Sequence, residues 1–391
     1  MKSAAFFLVL CLAFNFAAWA QTNRPVTPSG ITPYLITNDD SPPKVATSGT
    51  FFTLATDGTP DNPVRVSLGG VGAGGGYFAA GRVSTVANSI AHCAYLSLGG
   101  SSEVSAVDIR TLQDIGNFSA SLTDSSFDNG MGLVNNGHYL FASFSTSNTI
   151  AAFSIQSGCG LQFLGSAAAL GSHGGGVKGM AVHGNLLVVA NGDGSIQSFN
   201  VSAGTPVSNN DLQDATGFAT DRYPNGVDIT KDGHYAIFGD MSTTTTVEVS
   251  DISSGKLTKT VLYNLGPAAN SNNVLLSPDE TLLYIANNSV GRVTAAFFNK
   301  TTGKISTGCT SRILKGFDNN WVWLSSPVTE HRFGTGSPLY LAEFGSISAI
   351  AIVDVSSNAG KCTLTETSPS PIQAPNTTNL LSIGFYPPRT F

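Results

Sequence analysis

The fold this sequence predicts is an all-β, seven-bladed β-propeller of four-stranded blades, and three observations predict it. The first is a repeat. Tyr139, Leu187, Tyr235 and Leu283 follow one another at intervals of 48 residues, and each opens a short apolar run. A period near 50 with several strands per unit marks a propeller. The second is composition. Charged residues make up 11% of the chain, glycine occurs 43 times, and Ser, Thr and Asn supply the polarity. That mixture suits strands and turns, not helices or a disordered chain. The third is negative: no stretch carries the 3.6-residue apolar period of an amphipathic helix.

Taken in chain order, the first element is an export signal. Lys2 is its positive end, Ala4 to Phe16 its apolar core, and Ala18-Trp19-Ala20 a small-x-small cleavage pattern before Gln21. Residues 1–20 are therefore expected to be removed, with residues 21–30 a polar leader and 31–391 the propeller. No other apolar stretch is long enough to span a membrane. The mature chain is expected to be exported, extracellular or periplasmic, and monomeric.

The fullest repeat unit runs from Pro224 to Leu262. Asn225 to Ile229 forms a first strand, and Lys231-Asp232-Gly233 a hairpin turn whose Asp-Gly supplies positive φ. Tyr235 to Gly239 is a second strand, Thr246 to Ser250 a third, and Leu257 to Leu262 a fourth. Counting second strands gives Tyr34, Tyr95, Tyr139, Leu187, Tyr235, Leu283 and Tyr340, hence seven units. The first unit lacks its first strand, and Leu380 to Tyr386 at the other terminus can supply it. Closure by one strand from each end hides the sheet edges.

Net charge is −6 with no basic run, which argues against nucleic acid or anionic membrane as a partner. Outside the signal the cysteines are Cys93, Cys159, Cys309 and Cys362. Export permits disulfides, three pairings are possible, and any bridge would join blades, but isolated buried thiols fit equally well. No pair has zinc spacing. Glycosylation sequons occur at Asn117, Asn200, Asn287, Asn299 and Asn376, at a frequency chance would produce in such a composition.

The run Ser277-Pro278-Asp279, Leu283-Tyr284-Ile285-Ala286-Asn287 and Thr301-Thr302-Gly303-Lys304-Ile305 resembles the repeat of the seven-bladed propeller lactonase family. That family includes propeller-type 6-phosphogluconolactonases and carboxymuconate-lactonizing enzymes, and it overlaps the YVTN-type repeats. The resemblance covers nearly the whole mature chain. It implies a hydrolase or cyclase acting on a lactone, and it is specific for fold more than for reaction.

Propeller topology sorts the candidate residues. Blade-to-blade loops and second-to-third-strand loops share the upper face; the other hairpins lie below. His92, His138, His183, His234 and His331 precede second strands and belong to the lower face. Only His173, in Leu170 to Lys178, lies in a blade-to-blade loop, where it can act as general base or stand as a solvated loop residue. The resemblance to the lactonizing branch implies a histidine near the pore, and His173 matches it.

A second constellation is a ring. Asn129, Lys178, Asn225, Asn272 and Asn320 each stand at the start of a first strand, 49, 47, 47 and 48 residues apart. Asparagine is also a common turn residue, but Lys178 breaks the pattern and offers a cation for a carboxylate or an oxyanion. Arg222 and Tyr223 precede a first strand, and the guanidinium suits an anion or a salt bridge with Asp221. Asp240 and Glu343 open second-to-third-strand loops, as an acidic partner or as rim charges. The glycine run Gly69 to Gly76 suits a structural turn better than an anion nest, and no helix follows it as a dinucleotide site requires. Asn225, Asn272 and Asp128 have donor chemistry for calcium, yet carboxylates are too few for strong binding, so no cofactor is expected. No serine-nucleophile elbow is present.

The expectation is an exported propeller that hydrolyses or forms a lactone of a small carboxylated or sugar-like substrate at the channel mouth. His173 would be the base, Lys178 and Arg222 would hold the anion, and Asn129, Asn225, Asn272, Asn320, Tyr223, Asp240 and Glu343 would position it. Export argues against phosphogluconate itself. The alternative is a non-catalytic propeller that binds a glycan, a peptide or an envelope component, which sparse charge and one upper histidine favour.

Overall fold

The computed structural model describes residues 32–39, 45–72, 81–120, 131–214, 224–241, 244–267, 270–316, 323–328, 338–344, 348–358, 360–374 and 380–388. The expected signal and leader, Asp128, Asn129, Arg222, Tyr223, Asn320 and His331 lie outside these residues.

Seven antiparallel sheets form seven blades. The innermost strands are Leu380–Tyr386, Val83–Ala87, Leu133–Asn135, Gly179–His183, Pro224–Ile229, Ser271–Leu276 and Trp323–Val328, for blades 1 to 7. Second strands follow at Tyr34–Asp39, His92–Leu98, Tyr139–Phe144, Leu186–Ala190, Tyr235–Met241, Leu282–Asn287 and Pro338–Phe344. Every second strand expected from the repeat is present. Blade 1 is completed by the C-terminal strand, with Tyr34 opposite Tyr386 and Leu35 opposite Phe385. Blade 4 differs in its outer position, where Val207–Ser208 and Gln213–Asp214 both pair with Ser195–Asn200.

The only helices among the described residues are two 3-10 turns, Ser157–Cys159 and Asn288–Val290. None is long and apolar enough to cross a membrane. One sequence expectation needs correction. The glycine run does not begin as a loop, because Gly69 and Gly70 lie inside the outer strand Pro60–Val71. A Cβ at Gly70 would collide with Leu98 and stand 3.0 Å from the Ser101 hydroxyl, so close approach of blade 2 selects glycine there.

Strand alternation explains where the core sits. Successive side chains point to opposite faces of a blade, so each blade packs on both neighbours. Seven apolar clusters result, one per seam. Leu283 and Ile285 of blade 6 meet Ile237 and Val247 of blade 5. Leu282, Tyr284 and Ala286, on the opposite face, meet Leu339 and Leu341 of blade 7. Each buried Leu, Ile, Val or Phe in such a seam contributes about 1.5–3 kcal/mol. The four cysteines close two seams covalently. Cys93–Cys159 joins blades 2 and 3, and Cys309–Cys362 joins blades 6 and 7.

Candidate functional site

The two ends of the channel differ. A cavity of about 780 Å³ runs between the inner strands toward the lower hairpins, lined by Thr85, Asn135, His183, Asp228 and Asn273 among others. Polar side chains around its lower end tie each hairpin to the next. Asn88 donates to the Gly137 carbonyl (2.9 Å), Asn136 to the Gly184 carbonyl (3.0 Å), and Lys231 to the Pro278 carbonyl (2.6 Å). His183 Nε2 lies 2.9 Å from the Lys231 carbonyl oxygen. A carbonyl can only accept, so that nitrogen carries the proton. These bonds run from blade 2 to blade 6 as a belt, and His183 is one of its links.

The upper face is arranged differently. The loop that carries His173 is clamped by Asp193, whose carboxylate accepts the backbone N–H groups of His173 (3.0 Å) and Gly175 (2.8 Å) and both donors of Ser195. Burial alone would raise this carboxyl, but the hydrogen bonds from Ser195, Gly175 and His173 outweigh it and hold it below the usual range. A Cβ at Gly171 or Gly175 would collide with Asp193, so the glycines around His173 make room for the clamp. The His173 imidazole is 65% exposed, and its Nε2 stands 3.4 Å from Asp214 Oδ1. Ser172 donates to the same oxygen. Asp214 belongs to the outer edge of blade 4, which places His173 on the outer part of the upper face.

Lys178 stands directly before the inner strand of blade 4, and its backbone N–H donates to the Ala190 carbonyl. Its stem crosses Gly192 (φ 66°), where a Cβ would stand 2.9 Å from Lys178 Cε. The Lys178 stem and the His173 loop thus pack on two neighbouring residues of blade 4, Gly192 and Asp193. Asn225 and Asn272 are brought together, with Asn225 Nδ2 donating to Asn272 Oδ1 across the seam between blades 5 and 6. Both sit at ladder irregularities, between Pro224 and Val227 and between Ser271 and Asn273. Such bulges re-aim side chains at strand ends.

Asp240 and Glu343 differ from expectation. They do not open loops but lie within the second strands of blades 5 and 7, both at 0% exposure, so neither is a rim charge. Packing shows what they are. Ala236 and Phe238 face blade 4, and Leu339 and Leu341 face blade 6, so alternation turns Asp240 and Glu343 into the same seams. The same reasoning assigns Asp39, Leu98, Phe144, Asn191 and Asn287 to this position in the other blades. All seven are buried. Blades 2 and 3 contribute apolar residues to the ring and the other five contribute polar ones.

The polar members are satisfied in different ways. Asp39 accepts from the hydroxyls of Thr37 (2.5 Å), Ser48 (2.8 Å) and Thr50 (2.7 Å). Burial nonetheless keeps its carboxyl above the ordinary value. Asn287 accepts from Thr245 (3.0 Å) and donates to Thr294 (2.8 Å). Asn191 bonds Ser195 and Gln197. Among the described residues, neither oxygen of Glu343 has a hydrogen-bond partner. Burial, with the charge of Glu366 nearby, pushes its carboxyl up to about 8. Glu343 is therefore a neutral acid at pH 7, covered by Gly316, where a Cβ would collide with its carboxyl.

Two groups escaped the sequence reading. Arg82 directly precedes the inner strand of blade 2, as Lys178 does in blade 4, two repeat lengths further on. It is 1% exposed, and burial lowers its guanidinium to about 10. The spacing to Lys178 was the available signal. The polar ring residues Asn191 and Asn287 carry another signal, since each ends an apolar run at the repeat interval.

No established family profile matches this chain, and no curated protein is similar to it in sequence. Solved structures share its fold. A 6-phosphogluconolactonase candidate from Bacteroides fragilis superimposes with a TM-score of 0.65 at 16% identity, over 91% of this chain and 99% of that one. A second such candidate, from Bacteroides uniformis, gives 0.62 at 14%, over 90% and 99%. The periplasmic gluconolactonase of Pseudomonas aeruginosa gives 0.66 at 13%, over 90% and 99%. At these identities the likeness establishes the propeller architecture.

Proposed function

We propose that this chain is an exported lactonase-type hydrolase that opens a small carboxylated or sugar-like lactone at its upper face. The observation that carries the reading is the exposed His173–Asp214 pair on a loop fixed by Asp193, on the face where blade-to-blade loops meet. The architecture shared with a periplasmic gluconolactonase over nearly its full length supports the reaction class. Two inter-blade disulfides fit an oxidising compartment and hence export.

In this reading Asp214 orients the His173 imidazole. The imidazole takes a proton from water as the water attacks the lactone carbonyl. The carbonyl π electrons move to oxygen, and Lys178 opposes the charge that forms. Collapse of that oxyanion breaks the ring C–O bond, and the proton returns to the alkoxide. Arg222 and Tyr223, with Asn129, Asn225, Asn272 and Asn320, position the anionic group. Asp240 and Glu343, buried in the seams beneath this surface, do not meet the substrate.

The test is acid release from a panel of γ- and δ-lactones. The parent protein should hydrolyse at least one, His173→Ala should lose about 10²- to 10⁴-fold in kcat, and Lys178→Met should lower kcat more than it raises KM. Absence of hydrolysis by the folded parent refutes the reading. Unchanged turnover in His173→Ala removes the histidine from it.

A further inference from the structure

Of the five sequons, the fold separates usable sites from unusable ones. Asn287 is buried, and both ends of its amide are bound between Thr245 and Thr294, so a glycan there is incompatible with the folded seam. Asn117 is half-buried on the outer strand of blade 2. Its Nδ2 lies against Gly69 and Gly70, 3.2 Å from where a Gly70 Cβ would stand, and its Oδ1 is enclosed. Asn376 lies outside the described residues.

Asn200 and Asn299 are different. Each is exposed and ends a third strand, Ser195–Asn200 in blade 4 and Arg292–Asn299 in blade 6. Third strands run from the upper face to the lower, so both mark lower-face hairpins. In each, the side-chain oxygen accepts the backbone N–H two residues on: Ser202 at 2.9 Å and Thr301 at 3.0 Å. Asn299 also accepts from Thr302 at 3.1 Å. This Asx turn occupies the oxygen and leaves Nδ2 outside the turn's hydrogen bonds, on an exposed residue. It also fixes each asparagine beside the backbone of the hydroxyl residue that completes its sequon.

We propose that Asn200 and Asn299 are N-glycosylation sites, and that the folded chain carries its glycans on the lower hairpins of blades 4 and 6. The donor is a polyprenyl-diphosphate-linked oligosaccharide. Nδ2 attacks the anomeric carbon, the new C–N bond forms as the C–O bond to diphosphate breaks, the amide loses one proton, and the lipid diphosphate leaves with the electron pair. Glycans at these points stand on the face opposite His173 and Lys178, so they leave the upper face open.

The experiment is secretion of the full chain, from its own N-terminus, by a eukaryotic cell. Endoglycosidase treatment should shift the secreted protein, and peptide mapping by mass spectrometry should find glycans at Asn200 and Asn299. Ser202→Ala and Thr301→Ala, which leave the asparagine and its Asx turn in place, should each remove one glycan. The mapping needs no variant to fold. Secreted protein without a glycan at either asparagine, or with its glycan on Asn287, overturns the proposal. Lactone hydrolysis is read separately, so neither result decides the other.

Discussion

Replacement of Glu343 by glutamine should stabilise the protein, and by an amount that depends on pH. The carboxyl lies in the seam between blades 6 and 7, fully buried, and neither oxygen has a hydrogen-bond partner among the described residues. Its ordinary value of 4.5 is raised to about 8 by burial and by Glu366. Between these values the folded chain keeps a proton that the unfolded chain has released. The contribution of Glu343 to stability is therefore highest below pH 4.5, falls as pH rises toward 8, and then levels. Linkage at about 1.4 kcal/mol per pH unit sets an upper bound of about 5 kcal/mol across that window. Glutamine has the same shape and no charge to bury. The assay is urea or thermal unfolding of parent and Glu343→Gln from pH 4.5 to 9, followed as the difference between them. That difference should be small at the acid end and grow to a plateau above pH 8. A difference that stays flat across the window would refute the reasoning, because Glu343 would then titrate alike in both states.

Two further outcomes test the packing. Gly179→Ala should destabilise by roughly 1–3 kcal/mol, as overpacking does, because its Cβ would collide with the Asn225 carbonyl where blades 4 and 5 approach; denaturation midpoints measure this, and a neutral result would mean the seam can open without cost. Cys93→Ala combined with Cys159→Ala should cost about 2–4 kcal/mol, from a denatured chain freed of its cross-link, with a separation of 66 residues between the cysteines; reduction of the parent should lower its unfolding midpoint in the same direction.

The repeat made most of the fold legible because every blade solves the same problem. A strand with both faces buried needs an unbroken apolar run, and a hairpin needs residues tolerant of positive φ. Both constraints act locally, so Tyr235 to Gly239 and Lys231-Asp232-Gly233 could be read directly. Closure by Leu380 to Tyr386 was legible by subtraction, since one blade lacked a strand. The site was less legible. Loop lengths vary between blades, so constant spacing does not find equivalent residues. Asp39 and Glu343 occupy the ring position of Asn191 and Asn287, yet Asp39 is 59 residues before Leu98 and Glu343 is 56 after Asn287. Bulges at Asn225 and Asn272 displace the inner-strand count as well.

The sequence by itself determined the architecture, the number of blades, and the face to which each histidine among the described residues belongs, because periodicity and turn chemistry are properties of neighbouring residues. Tertiary structure alone decided which cysteines pair, which sequons stay open, and that Asp240 and Glu343 are seam residues with no exposed charge. It also decided that His173 leans outward to Asp214, while the Lys178 stem packs on Gly192. Those facts depend on which blade face a side chain takes and on what the adjacent blade presents to it. Two blades meet only after the ring has closed, and no local pattern carries that information.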